Sequence, residues 1–274
     1  MTSLQKAIKY LAVAFAIFLI VTIIGGITAG IGSISFLASK KDEKVVGEMK
    51  SYPIENDISS LSVDLSGAEL KIKTADKFSV ESNHKYISVK TNNGKLTISE
   101  TKKPFAFWSE GVTVVLCVPK DFVFKEAKID TGAGKVEVDS LSADDLKLNL
   151  GAGEAKIKNL TANSRADIDG GAGELTIDGG LLSNLELDMG VGELTIKSRI
   201  EGESELNYGV GETNLTLLGR PEDYKIKLDK GIGDAKIEGA SMADDSVYGS
   251  GENLIDIDGG VGAINIEFSD YIVE

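Results

Sequence analysis

Five carboxylates stand at one place in a recurring phrase: Glu154, Glu174, Glu193, Glu212 and Asp234 each follow a Gly-x-Gly. Oxygen ligands repeated at a fixed spacing suit a hard cation such as calcium, which makes these five residues a candidate cation stripe. Carboxylates stacked about 5 Å apart repel by roughly 0.8 kcal/mol per neighbour even in bulk water. The competing reading is that each is solvated, or accepts backbone N–H bonds at its own turn. A calcium roll fits poorly, because Gly170-Gly171-Ala172-Gly173-Glu174-Leu175 puts Leu where the ligand Asp belongs and the period is twice too long. Other chemistry is sparse. The one histidine, His84 in ESNHKY, reads as a solvated turn residue, and the one cysteine, Cys117 in an apolar run, as a small buried hydrophobe. Neither has the neighbours of a Ser-His-Asp, Cys-His or zinc site. No cofactor is expected beyond weakly bound calcium. The glycines do not form a phosphate loop, since no copy opens a helical pattern.

The elements that carry these residues repeat. TGAGKVEV, LGAGEAKI, GGAGELTI, MGVGELTI and YGVGETNL begin their glycines at Gly132, Gly151, Gly171, Gly190 and Gly209, in steps of 19, 20, 19 and 19 residues. Two further copies start at Gly231 and Gly260, after steps of 22 and 29, and a weaker one, LSGAELKI, surrounds Gly67. A fixed step near twenty marks a repeat architecture. Before the glycines apolar residues alternate with polar ones, as in Leu146, Leu148 and Leu150, which is the period of a strand with one buried face. After them the apolar pairs include Ala155 with Ile157, Leu175 with Ile177, and Leu194 with Ile196. The alternation flips parity at every Gly-x-Gly, so the glycines are a corner that keeps the apolar face inward. The residue between the glycines, Val191 for example, is expected to point into the stack. Two strands per ~20-residue coil, each coil stacked on the last in parallel, give an all-β, β-helix-like parallel solenoid with eight rungs.

Four segments follow. Residues 10–39 carry no charge and are almost wholly apolar over 11–24, and this uncharged run is long enough as a helix to cross a ~30 Å bilayer core. Residues 1–39 therefore read as an uncleaved transmembrane anchor; cleavage would need a better site than Thr28-Ala29-Gly30. Residues 40–57 read as a polar stalk, 58–126 as an irregular, partly antiparallel start to the solenoid, and 127–274 as its regular coils. Asn93-Gly94 is a hairpin turn signal within the irregular part. The lysines flanking the anchor do not by themselves orient it. Residues 45–274 hold 24 Lys and Arg against 41 Asp and Glu, a net charge of −17, which suits an outer-surface domain and disfavours nucleic acid and anionic lipid. The solenoid is expected outside the cell membrane, on a single-pass anchor. Phe105, Phe107 and Trp108 gather beside Lys102 and Lys103, either as a cap on the first coil or as a loop meeting a membrane or partner.

A strand ending in Val-Pro (Val118-Pro119), a spacer, and reiterated strand–Gly–strand units behind an apolar amino-terminal segment resemble the bacterial "putative adhesin" family of β-strand-repeat proteins over residues 50–270. The resemblance implies an envelope-facing solenoid, sometimes tied to envelope-stress systems, with no catalytic residues to carry over. The expected function is a membrane-anchored binding, adhesion or sensing module whose partner is an envelope protein or cell-wall component. The alternative is a β-helix enzyme acting on a polysaccharide, which would need paired acids among aromatic sugar platforms.

Overall fold

A computed structural model describes residues 45–54, 57–101 and 111–269. The chain divides into residues 1–44 and 45–274, and the expected transmembrane segment lies outside the described residues. Among the described residues no helix is long and apolar enough to cross a membrane.

The described residues hold eighteen strands in one sheet. The irregular part contains β1 (Val46–Tyr52), β2 (Ser60–Leu65), β3 (Glu69–Ala75), β4 (Ser79–His84), β5 (Ile87–Asn92), β6 (Lys95–Glu100) and β7 (Thr113–Pro119). The regular coils contain β8 (Val123–Val138), β9 (Leu141–Ile157), β10 (Leu160–Ile177), β11 (Gly180–Ser183), β12 (Leu185–Glu201) and β13 (Glu203–Leu218). The last part contains β14 (Tyr224–Asp229), β15 (Ile232–Ile237), β16 (Ala240–Ser241), β17 (Ser246–Gly249) and β18 (Asn253–Ser269). Residues 46–52, expected in a stalk, are β1, which pairs antiparallel with β4.

The long strands run through the glycine corners without breaking. Parity changes there as expected: Leu146 and Leu148 are buried before the corner, Ala155 and Ile157 after it. Glycine is required for two reasons. The second glycine of the corner has a positive φ, +141° at Gly192, and a side chain there would collide with the Gly173 carbonyl oxygen of the coil below. The coils from β8 to β12 also have a third, shorter side that the two-strand expectation omits, with Leu141 and Ala143 stacked under Leu160 and Ala162.

Stacking builds the core. One column runs Ile98, Val63, Ile129, Leu148, Ile168, Leu187, Leu206, Ile257, Leu228, each 2% exposed or less. Full burial of one such side chain stabilises by about 1.5–3 kcal/mol, and a column of like aliphatics repeats that gain at every coil.

Coil order departs from chain order at both ends. β18 pairs with β13 on one side and with β14 and β15 on the other, so the last coil in sequence fills a slot between two earlier ones. The corners therefore stack in the order 67, 132, 151, 171, 190, 209, 260, 231. At the other end β2 and β3 lie between β8 and the coil made by β6 and β7. Each outer coil is edged by antiparallel strands: β17 on β14 and β16 on β15, and β5 on β6 and β4 on β7. Such edging ends a parallel ladder that would otherwise present its unpaired groups to another chain. The β5–β6 hairpin turns at Asn93 and Gly94, both with positive φ, as the dipeptide predicts. Aromatics pack near both ends: Phe78, Phe122 and Phe124 at one, Tyr224, Tyr248 and Phe268 at the other.

Candidate functional site: a groove along the glycine corners

Three residues before each residue x of Gly-x-Gly stands an Asp or Asn: Asp130, Asn149, Asp169, Asp188, Asn207, Asp229 and Asp258. The parallel register brings all seven into one outward column, in the order 130, 149, 169, 188, 207, 258, 229, with Asp64 continuing it below Asp130. Beside the column runs an open groove of about 1350 Å³, from Asp64, Leu65 and Ser66 to Gly259 and Gly260. Its floor is the bare backbone of the first corner glycines with Leu150, Met189 and Tyr208. The glycines needed for stacking thus also keep much of the trough floor free of side chains.

The acids along this wall are partly neutralised. Asn149 donates its amide to Asp130, Asn207 donates to Asp188 Oδ1 at 2.9 Å, and Lys147 reaches Asp167 at 2.8 Å and Asp169 at 3.7 Å. Asp258 has its pKa raised, first by burial and then by Asp256, Asp229 and Glu205 nearby. Tyr208 lies 5% exposed in the floor and donates its hydroxyl to the Gly192 carbonyl; burial is the main reason its pKa is pushed up to about 12. The wall and floor therefore offer many acceptors and few donors, which suits a ligand rich in hydroxyl, amide or ammonium groups. The recurring Asp or Asn is visible in the repeats as the last outward position before each corner, but only stacking shows that it lines a groove whereas the carboxylate after the corner does not.

Those later carboxylates lie on the next side of the coil, outside the groove. Glu154, Glu174, Glu193 and Glu212 do stack in register, with Lys135 before them. Ala263 of the intercalated coil separates Glu212 from Asp234, so the five do not form one unbroken stripe. Lysines share the face: Lys156 pairs with Glu154 and lies 3.8 Å from Glu174, and Lys135 lies 2.7 Å from Glu137 and 3.9 Å from Glu154. The Lys156 bond is the chief cause holding the Glu154 carboxyl below its ordinary pKa. Among the described residues no three His, Cys, Asp or Glu converge to hold a metal ion.

Three other expectations are corrected. Val191 is 37% exposed, because x is the apex of the corner and points away from the stack. His84 is not a solvated turn residue but 2% exposed. Cys117 is a free thiol, half-buried on the opposite parity from buried Leu116 and Val118. Phe105, Phe107 and Trp108 lie outside the described residues.

The stacked parallel coils define the molecule as a β-solenoid-like repeat protein. Residues 58–252 match the Toastrack DUF4097 family, to which the chain belongs. No curated protein matches it. A crystal structure described as a putative cell adhesion protein from Clostridium sporogenes is 17% identical and covers 81% of this chain and 99% of that one, with a TM-score of 0.35. One described as a putative adhesin from Bacteroides fragilis is 13% identical, with coverage of 80% and 96% and a TM-score of 0.42. A putative lipid binding protein from Parabacteroides distasonis is 16% identical, with coverage of 80% and 96% and a TM-score of 0.35.

Proposed function

We propose that this protein is a membrane-anchored, extracytoplasmic binding module without catalytic activity, holding an extended envelope or cell-wall polymer along the glycine-corner groove. The observation that carries the reading is the groove itself. It crosses successive coils, so its acceptors recur with the strand spacing, about 4.8 Å, and a polymer can meet several of them in line. The acidic body disfavours nucleic acid and anionic lipid, leaving a polymer that presents hydroxyl, amide or ammonium donors. A sugar-cleaving reading gains little from the groove, whose one aromatic lining residue among those described is the buried Tyr208.

Co-sedimentation with insoluble cell walls tests the proposal. Wild type should pellet, and an Asp169→Arg, Asp188→Arg double variant should lose most of that binding. Glu174→Arg, Glu193→Arg, which alters the neighbouring side, should retain it. Equal binding by all three proteins, or equal loss from both variants, would remove the groove from the reading.

A further inference from the structure

His84 and Glu100 form a buried titratable pair remote in character from the aliphatic core. The His84 residue is 2% exposed, and the Glu100 side chain 1%. The hydrogen bonds fix the tautomer. The Tyr86 backbone N–H donates to His84 Nδ1 at 3.0 Å, so in the neutral ring the proton sits on Nε2. Nε2 faces Glu100 Oε1 at 3.5 Å, and that oxygen also accepts the Ser66 backbone N–H at 3.1 Å. A protonated Nε2 is no metal ligand, which sets aside a metal role for the pair. The neighbouring backbone is tied as well. The His84 N–H donates to Ser82 Oγ at 3.0 Å, and that hydroxyl donates to the Thr113 carbonyl at 2.9 Å. Lys85 N–H donates to the Val45 carbonyl at 3.0 Å, and Val46 pairs with His84. The turn of residues 84–87 is therefore what β1 hangs on at its first residues.

One ring thus accepts from the turn at Nδ1 and faces the carboxylate with a buried Nε2 that makes no hydrogen bond. A second proton acts oppositely on the two contacts. It makes Nε2–H···Glu100 a charge-assisted contact, and it sets a new N–H at Nδ1 against the Tyr86 N–H, donor facing donor. Imidazoles change charge between pH 5 and 8 more readily than any other side chain. We propose that His84 is a proton-operated latch on the amino-terminal edge of the solenoid: neutral, it holds the 84–87 turn and through it the start of β1; charged, it grips Glu100 and releases the Tyr86 amide.

The groups that face the ring are consistent with this. Glu100 comes from β6; the Tyr86 ring stands edge-on with centroids 6.3 Å apart; Lys85 follows in the turn; β4 supplies the Ser82 hydroxyl, and the backbone of Val45 and of Val46 at the start of β1 lies alongside. Burial raises the Glu100 pKa, but the contacts with His84 and Ser66 outweigh it and hold the carboxyl below its ordinary range.

The test is nitrogen-15 NMR on the full-length protein between pH 8 and pH 5. The ring should show the Nε2–H tautomer at pH 8. Exchange protection of the Tyr86 amide, corrected for the intrinsic rate, should fall about tenfold or more as the ring charges, while Ile168 and Leu187 stay protected. His84→Asn, whose Oδ1 can replace Nδ1 as acceptor and does not titrate, should keep Tyr86 protected throughout. Glu100→Gln, which removes the countercharge but keeps the shape, should move the ring's midpoint to lower pH. A Tyr86 amide whose protection ignores the ring's charge, the same loss in His84→Asn, or an unmoved midpoint in Glu100→Gln would each overturn the latch.

Discussion

At Gly170 a Cβ would meet Met189 Sδ at 2.5 Å, the movable end of a flexible side chain, whereas at Gly192 it would meet the carbonyl of Gly173 with φ already at +141°. Gly170→Ala should therefore cost less than about 1 kcal/mol, and Gly192→Ala should cost about 1–3 kcal/mol from backbone strain alone, measured by urea unfolding. The same reasoning separates Val191 from the core. Val191→Lys places its charge at an exposed apex and should cost under about 0.5 kcal/mol, against about 2–5 kcal/mol for Leu187→Ala, which is wholly buried. Glu100 sets part of the acid stability. Its folded pKa lies below its unfolded value, so its contribution is complete above the unfolded value of about 4.3 and is lost as pH falls through the lower folded one. The melting temperature of wild type should drop over that acid range more steeply than that of Glu100→Gln; parallel curves would show that Glu100 is not the group responsible.

At the scale of the element, β18 decides how the stack is closed. Its seventeen residues pair with β13 along nearly their whole length and present the other edge to β14 and β15. Deleting residues 253–274 leaves an empty slot between β13 and the outer coil, not a stack one coil shorter. The expected result is loss of the outer coil as well, seen as exposed β13 edges, concentration-dependent association and a broadened melting curve. A truncated protein that stays monomeric and melts sharply would mean that β14 and β15 can close onto β13 directly. Calcium offers a second test at this scale. With Ala263 breaking the column and lysines beside Glu154 and Glu174, millimolar calcium should leave the melting temperature of both wild type and a Glu174→Gln, Glu193→Gln variant unchanged, by linkage.

For the whole molecule, residues 45–274 contain the entire described sheet and its core, at a net charge of −17. Freed of residues 1–44, this part should be soluble, monomeric and β-rich by circular dichroism, because each coil buries its apolar pairs against its neighbours. Its acids repel one another along columns such as Asp169, Asp188 and Asp258. Raising sodium chloride from 0.02 to 0.5 M shortens the screening length from roughly 20 Å to about 4 Å and should raise the melting temperature. A fall would show that the ion pairs of the outer faces outweigh that repulsion.

Period two, the step of nineteen or twenty, and the parity change at Gly-x-Gly are local features, and from them the strands, the inward residues and the corners could all be read. The Asn93-Gly94 hairpin is local in the same sense. The choice of neighbour is not. Copies as alike as MGVGELTI and YGVGETNL offer equivalent hydrogen-bonding edges, so nothing within the last coil announces that it will enter between β13 and β14; only steps of 22 and 29 mark a departure. The outward tilt of x depends on how the backbone turns at a corner packed against the corner below, and the groove exists only once several such corners are stacked. His84 sits in a polar stretch that reads as a solvated turn, and it is buried because β1, β4 and β6, far apart in the chain, close around it. Alternation specifies what each strand does with its two faces; which strand lies alongside it, and what that encloses, is settled by the free energy of the whole stack.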